Sequence, residues 1–238
     1  MNSWISFDGV SFNYNEQSVF KDLSFNIPVS QGVLGIVGKS GVGKSTFLNL
    51  VSGYLRPVKG SISVHGKKVE TMGAERPVVF QDHNLFPWMN LIDNVCFGLK
   101  AKGLRRRERY TAVQEILTHT GLLGHEHKLP SELSGGMQQR VGFARALSIE
   151  PDCILLDEPF GSLDVHTSSD IRHYFQRQLS EHHSNAVLVS HNLDEAITMC
   201  DAILLLQVNG KYRLIESIEK SSESQASQLA HLKELIAE

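Results

Sequence analysis

The sequence is poor in cysteine, has no marked excess of either charge, and holds no long apolar run. Its three cysteines, Cys96, Cys153 and Cys200, are odd in number, widely spaced and free of any C-x-x-C pair. That excludes a disulfide framework and makes a thiolate metal site a poor expectation; reduced, mostly buried thiols in a cytosolic protein are expected instead. Lys and Arg number 23 against 26 Asp and Glu, a net charge of -3, so no overall basic field invites nucleic acid. The run Ile203-Leu204-Leu205-Leu206 falls far short of the ~18–20 residues that a membrane span takes. Met1 to Ser6 lacks the basic and apolar regions of a signal peptide. With 41% hydrophobic and 21% charged residues over 238 positions, the chain has an ordinary globular balance and ample material for a core.

What is present begins with Gly38-Lys39-Ser40-Gly41-Val42-Gly43-Lys44-Ser45-Thr46, set between the apolar run Val33–Val37 and the helix-like Phe47–Val51. A strand, a glycine-rich turn and a helix start in that order form the phosphate-loop pattern G-x-x-x-x-G-K-[ST]. The glycines let successive N–H groups turn inward, and the helix N-terminus adds partial positive charge. Lys44 is placed to reach the β- and γ-phosphates, and Ser45 to put its hydroxyl on Mg²⁺. A nucleoside triphosphate is the expected ligand.

Other stretches carry chemistry that suits the same ligand. Ser134-Gly135-Gly136-Met137-Gln138 opens a helical pattern whose face holds Met137, Val141, Ala144 and Ala146-Leu147. Ser134 stands as the N-cap, and the two glycines let an anion approach the first turn, a second anion-binding helix start. Cys153-Ile154-Leu155-Leu156-Asp157-Glu158 is a buried-strand pattern ending in two carboxylates. Asp157 is the natural Mg²⁺ partner and Glu158 is positioned to polarise an attacking water. Ala186–His191 is another apolar run, closed by a histidine that could donate to the terminal phosphate. Gln81 ends the short strand pattern Val78-Val79-Phe80 and is either a loop glutamine or a reach toward metal-bound water.

The remaining chain frames these stretches. The first thirty residues alternate with period two around a polar turn at Asn15-Glu16-Gln17, a hairpin pattern. Tyr14 at its turn end either stacks on a base or is a half-buried strand aromatic. Ser61–His65 alternates again and is expected to rejoin that sheet. Leu85 to Leu91 is unusually apolar for a loop and reads either as a docking surface or as core. A helix is expected over Ile92–Leu99, a solvated basic helix start at Leu104–Arg109, and a helix from Thr111 to near Gly121. His125 and His127 read as exposed loop histidines rather than metal ligands. Gly161-Ser162-Leu163-Asp164 is a turn into a helix over Val165–Leu179. Asp194–Met199 reads as helix and Ala202–Leu206 as a last parallel strand. Beyond Gly210 the chain is polar, with one amphipathic helix pattern carrying Leu229, Leu232 and Ile236.

With the phosphate loop, Gln81, the Leu133–Arg140 segment, Asp157-Glu158, Ser162-Leu163-Asp164 and His191 in that order, the sequence resembles the ATP-binding subunits of ABC transporters over nearly its whole length. The resemblance implies a P-loop α/β fold, a parallel sheet flanked by helices. To it are added an antiparallel β-subdomain within about 1–70 and a helical subdomain over about 87–150, all in one domain without a C-terminal regulatory domain. It implies that Tyr14 stacks on adenine, that Gly38 to Thr46 cradle the phosphates of ATP, and that Ser45, Gln81 and Asp157 manage Mg²⁺. Glu158 would be the catalytic carboxylate and His191 the switch histidine. Ser134, Gly135, Gly136 and Gln138 would act on ATP held by a second copy, in a head-to-tail dimer. Gln81 would also sense a membrane permease, whose coupling helix would dock near Leu85, Phe86, Pro87 and Trp88. Asn84–Trp88 and Asp93-Asn94-Val95 look like importer ATPases, most of all the nitrate/sulfonate/taurine type, with thiamine-precursor and polyamine importers nearby. Such subunits sit peripherally on the cytoplasmic face of the inner membrane, and the complete system has an extracytoplasmic solute-binding protein. Two rivals fit less well. A soluble relative working on DNA or ribosomes would carry a long coiled-coil insertion or a second ATPase copy. A kinase or GTPase would leave the Ser-Gly-Gly helix start unexplained.

Overall fold

The computed structural model describes residues 3–82, 84–161, 165–208, 211–215, 218 and 222–237. In chain order its strands are β1 (Ser3–Tyr14), β2 (Gln17–Pro28), β3 (Val33–Val37), β4 (Lys59–Val64), β5 (Lys67–Lys68), β6 (Val78–Val79), β7 (Cys153–Asp157), β8 (Asn185–Val189), β9 (Ala202–Leu206) and β10 (Tyr212–Ile215). Its helices are α1 (Lys44–Ser52), α2 (Leu91–Val95), α3 (Phe97–Ala101), α4 (Arg106–Ala112), α5 (Gln114–His119), α6 (Gly135–Leu147), α7 (Val165–Glu181), α8 (Leu193–Met199) and α9 (Ser222–Ala237). They divide between two compact units. Met1–Gly73, Leu155–Asp157 and Asn185–Glu238 make the first; Ala74–Ile154 and Glu158–Ser184 make the second.

In the first unit, β1 and β2 form the expected hairpin, turning at Asn15-Glu16, and β4 adds to the other edge of β1 in antiparallel register. Phe7, Phe12, Phe20 and Phe25 are all buried, although each pair on a strand is five positions apart, because register shifts between Phe7 and Phe12 reset the alternation. Phe47 of α1 stacks on Phe7 at 4.8 Å, and Phe7 stacks on Phe25 at the same spacing. Burying an aromatic of this size contributes about 1.5–3 kcal/mol, so this stack fixes the helix that follows the phosphate loop. β3 lies between β8 and β9, parallel to both, with Gly35 opposite Leu188 and Ile203. Every residue of β3, β8 and β9 is buried, which is why each reads as an unbroken apolar run rather than an alternation.

The segment after Gly210 holds more than the sequence pattern promises. β10 pairs antiparallel with β9, Tyr212 opposite Leu206 and Ile215 opposite Ile203. Its side chains are half-buried or exposed, so it leaves little period-two signal. α9 packs against α8 and buries Leu232 and Leu235. Of the expected stripe Leu232 is buried, while Leu229 and Ile236 are half-buried and Leu235 takes the core position beside Ile236.

In the second unit, α6 supplies the core. Val141, Phe143, Ala144, Ala146 and Leu147 are buried, and Phe143 meets Phe160 at 6.1 Å and Phe175 at 5.3 Å. Met137 is only half-buried, whereas Gln139 is buried. The helix expected over Ile92–Leu99 is two short helices, α2 and α3, that meet at Cys96. β6 ends at Val79, leaving Phe80 exposed. α4 starts in solvent, with the Glu108 carboxylate accepting the Arg105 N–H at 2.7 Å, so the basic cluster is a capped helix start. His127 is exposed but His125 is half-buried, and no metal-binding cluster occurs among the described residues. Ser162-Leu163-Asp164 lies outside the described residues.

Candidate functional site

The phosphate loop is built by backbone geometry. β3 delivers Gly38 with φ 153°, and a Cβ there would lie 2.4 Å from the Leu206 carbonyl oxygen, closer than any real side chain stands. Only glycine fits that crossing. Gly43, at φ 107°, is the N-cap of α1, so the helix begins at Lys44, three residues earlier than its apolar pattern shows. The Phe47 N–H donates to the Gly43 carbonyl at 2.8 Å. Lys44 Nζ donates to the Gly38 and Lys39 carbonyls at 2.9 and 3.0 Å, drawing the ammonium over the loop. Lys39, Ser40, Gly41 and Ser45 are exposed, Val42 and Gly43 half-buried, and Thr46 buried. Left-handed backbone at Gly38, Gly41 and Gly43, an ammonium and the helix N-terminus together suit a polyphosphate.

Two further residues of the first unit stand at strand ends. In the sheet β3 neighbours β8, and β8 neighbours β7. Asp157 closes β7, half-buried. Its carboxylate and the Ser45 hydroxyl are the oxygen donors that a hard cation such as Mg²⁺ takes. His191 follows β8 on a braced turn. Ser190, 2% exposed, lies within hydrogen-bond reach of the Glu195 carboxylate and accepts the Asn192 N–H at 3.0 Å. Asn192 in turn caps α8 by accepting from Asp194 N and Glu195 N at 3.0 and 3.2 Å. His191 itself is exposed. Tyr14 keeps 47% of its surface exposed and meets Phe12 edge-on at 4.9 Å, so the sheet does not consume its ring.

The second unit carries the other half of the expected residues. Ser134 caps α6, its hydroxyl accepting the Met137 N–H at 3.3 Å, and Gly135-Gly136 form the first turn. Arg140 fixes that turn by donating to Gly136 O at 3.3 Å and to Thr120 O at 2.8 Å. Gln138 turns back, donating to Pro130 O and Leu133 O at 2.9 and 3.2 Å. Glu158 has φ 51°, a left-handed backbone that costs a non-glycine residue about 1–3 kcal/mol. Gln81 is exposed beyond β6.

The loop before α2 divides its apolar side chains between core and surface. Leu91 is fully buried, while Trp88 at 72% is the most exposed large apolar side chain among the described residues. Phe86 is half-buried between Trp88 and Phe97, with the Arg145 guanidinium 5.4 Å from its ring. Burial holds the Arg145 pKa below its ordinary value. Asn94, with no exposed surface, ties the loop down. Its Oδ1 accepts Phe86 N–H at 2.9 Å, and its Nδ2 donates to the carbonyls of Phe86, Met89 and Asn90 at 2.9–3.1 Å. Sequence reasoning gave Asn94, Ser190, Glu195 and Gln139 no positioning role; Asn94 alone was singled out, within the importer-like Asp93-Asn94-Val95. All three cysteines are free and buried, and burial pushes the Cys96 thiol up to about 11.

Comparison with known proteins agrees with this geometry. The model of the family described as ABC transporter matches residues 20–161, more than half the chain. The taurine import ATP-binding protein TauB of Escherichia coli (strain K12) is 38% identical over 206 residues, covering 87% of this chain and 80% of its own. Its namesake in Pseudomonas aeruginosa (strain UCBPP-PA14) is 35% identical over 208 residues, with 86% and 79% covered. Among solved structures, a dimeric post-hydrolysis state of the ATP-binding cassette MJ0796, bound to ADP and Pi, superposes with a TM-score of 0.80 at 28% identity, over 90% of this chain and 99% of that one. CbiO1 of Clostridium perfringens, part of the ABC transporter complex cbiONQ, gives 0.81 at 26% identity, over 98% and 94%. The chain belongs to the ABC transporter family, as an ATP-binding and ATP-hydrolysing subunit.

Proposed function

We propose that this ATPase powers the import of a small anion or sulfonate through a membrane permease, by closing head to tail with a second copy around ATP. The observation that carries the reading is the pairing, in one chain, of a lysine-capped phosphate loop with a serine-capped Gly-Gly helix start. Two anion-binding helix starts in one subunit suit a two-fold dimer in which each ATP meets one start from each copy.

In this reading Gly38 to Thr46 cradle the phosphates and Lys44 moves onto the β- and γ-phosphate oxygens. Ser45, Asp157 and Gln81 hold Mg²⁺, which neutralises developing phosphate charge when bound. Glu158 polarises the attacking water, and His191 donates to the terminal phosphate. Tyr14 stacks on adenine. Ser134, Gly135, Gly136 and Gln138 close over the ATP of the partner copy. The chain acts as one domain with an antiparallel β-subdomain within about 1–70 and a helical subdomain over about 87–150. Trp88 and Phe86, with Leu85 and Pro87, receive a permease helix at the cytoplasmic face of the inner membrane, and an extracytoplasmic binding protein delivers the solute. The relatives' taurine import supports a sulfonate as that solute.

Tagged Glu158→Gln protein, which keeps ATP but stalls hydrolysis, tests this by capture from detergent-solubilised native membranes with ATP present. Recovery of a polytopic permease is expected, and a Trp88→Ala version should lose it. Recovery of ribosomal or DNA-repair proteins with no membrane partner would overturn the transport reading.

A further inference from the structure

Gln139 sits one position beyond the residues expected to meet ATP, on the buried side of α6, and is 2% exposed. Its Nε2 donates to the main-chain carbonyl of Glu158 at 3.3 Å, and the Gly161 N–H reaches the same oxygen at 3.4 Å. Glu158 at φ 51° holds a conformation that an L side chain keeps only when its surroundings dictate it. We propose that Gln139 is a positioning residue for Glu158: its bond to the carbonyl selects the left-handed backbone that aims the carboxylate.

Relaxing Glu158 to an ordinary φ rotates its Cα–Cβ bond relative to β7 and swings the carbonyl away from both donors. Holding the carbonyl therefore holds the carboxylate's line of sight. The relaxed state would give up a hydrogen bond at a buried amide, where water cannot replace it. The same helix links this device to its own start. Gln139 is five residues, or about 7.5 Å of helix rise, from the Ser134 cap, and Arg140 pins the Gly136 carbonyl at 3.3 Å. A ligand that settles or shifts the start of α6 thereby acts on the pose of Glu158 in the same subunit.

This inference rests on Glu158 polarising the attacking water, and the experiment separates the two. Steady-state ATP hydrolysis is measured for the full chain, Gln139→Met, Glu158→Gln and the double variant, together with ATP-driven dimerisation by size exclusion. Gln139→Met keeps the side chain's length and removes the donor. It should lower kcat by about 10- to 100-fold with KM for ATP within about twofold, the pattern of a misaimed group rather than a lost site. In the Glu158→Gln background it should leave ATP-driven dimerisation unchanged, an outcome that general loosening of α6 would not give. Gln139→Leu, a second apolar replacement of similar volume, should match Gln139→Met and serves if that variant does not fold. A kcat within about twofold of the unaltered chain, or a joint loss of kcat, ATP affinity and dimerisation in both variants, overturns the proposal. If instead Glu158→Gln retains full turnover, the role given to Glu158 fails and this inference falls with it.

Discussion

The two units hold their candidate functional residues by different means. In the first, the phosphate loop, Asp157 and the His191 turn sit at the ends of neighbouring strands, and β3 and β8 are wholly buried. At the phosphate loop the main chain does the positioning, with left-handed glycines, a helix N-cap and carbonyls that hold Lys44, while the His191 turn is braced by side chains, those of Ser190, Asn192 and Glu195. In the second, the Trp88 loop, the α6 start and Glu158 are held by polar side chains, the buried Asn94 and Gln139 and the half-buried Arg140. A backbone-built site shows in sequence as glycine spacing and apolar runs. A side-chain-built site rests on single residues, and single substitutions should undo it piece by piece.

The contrast can be broken most sharply at Gly38. Gly38→Ala places a Cβ against the Leu206 carbonyl and forces a left-handed φ on alanine. It should cost about 1–3 kcal/mol and abolish ATP binding, read by thermal unfolding and nucleotide titration. Asn94→Ala should cost about 2–4 kcal/mol by removing the acceptor that Phe86 N uses and one donor from each of three carbonyls, yet leave ATP affinity near that of the unaltered chain. Limited proteolysis should then cut first near Trp88. If ATP affinity falls as far as stability does, the two modes of construction are not separate. Arg177 bridges Glu115 at 2.7 Å, but both side chains are well exposed, 45% and 63%. Arg177→Ala should therefore change stability by under about 1 kcal/mol in denaturant titration, and less at high salt.

That difference in construction also explains how much could be read before the fold was known. Glycine spacing located the phosphate loop, and unbroken apolar runs located β3, β7, β8 and β9, because fully buried parallel strands carry no polar alternation. Ser134 was legible because a cap is a local event, with donor and acceptor three residues apart. β10 was not: an edge strand with half-exposed side chains looks like a polar tail. The break at Cys96 was hidden too, since α2 and α3 share one apolar stripe. The positioning roles of Ser190, Glu195, Asn94 and Gln139 were missed because their partners are fixed only by the folded chain. Gln139 and Glu158 are nineteen positions apart, a separation that no local periodicity records.

In the proposed dimer each ATP is worked on by the phosphate loop of one copy and the α6 start of another. Mixing two inactive variants, Lys44→Ala and Ser134→Arg, and measuring ATP hydrolysis tests it most directly. In the mixed dimer one site joins an intact Lys44 to an intact Ser134. Activity should therefore appear on mixing, while Ser134→Arg alone still binds ATP. A mixture as inactive as its components, under conditions where mixed dimers are shown to form, would contradict the head-to-tail assignment.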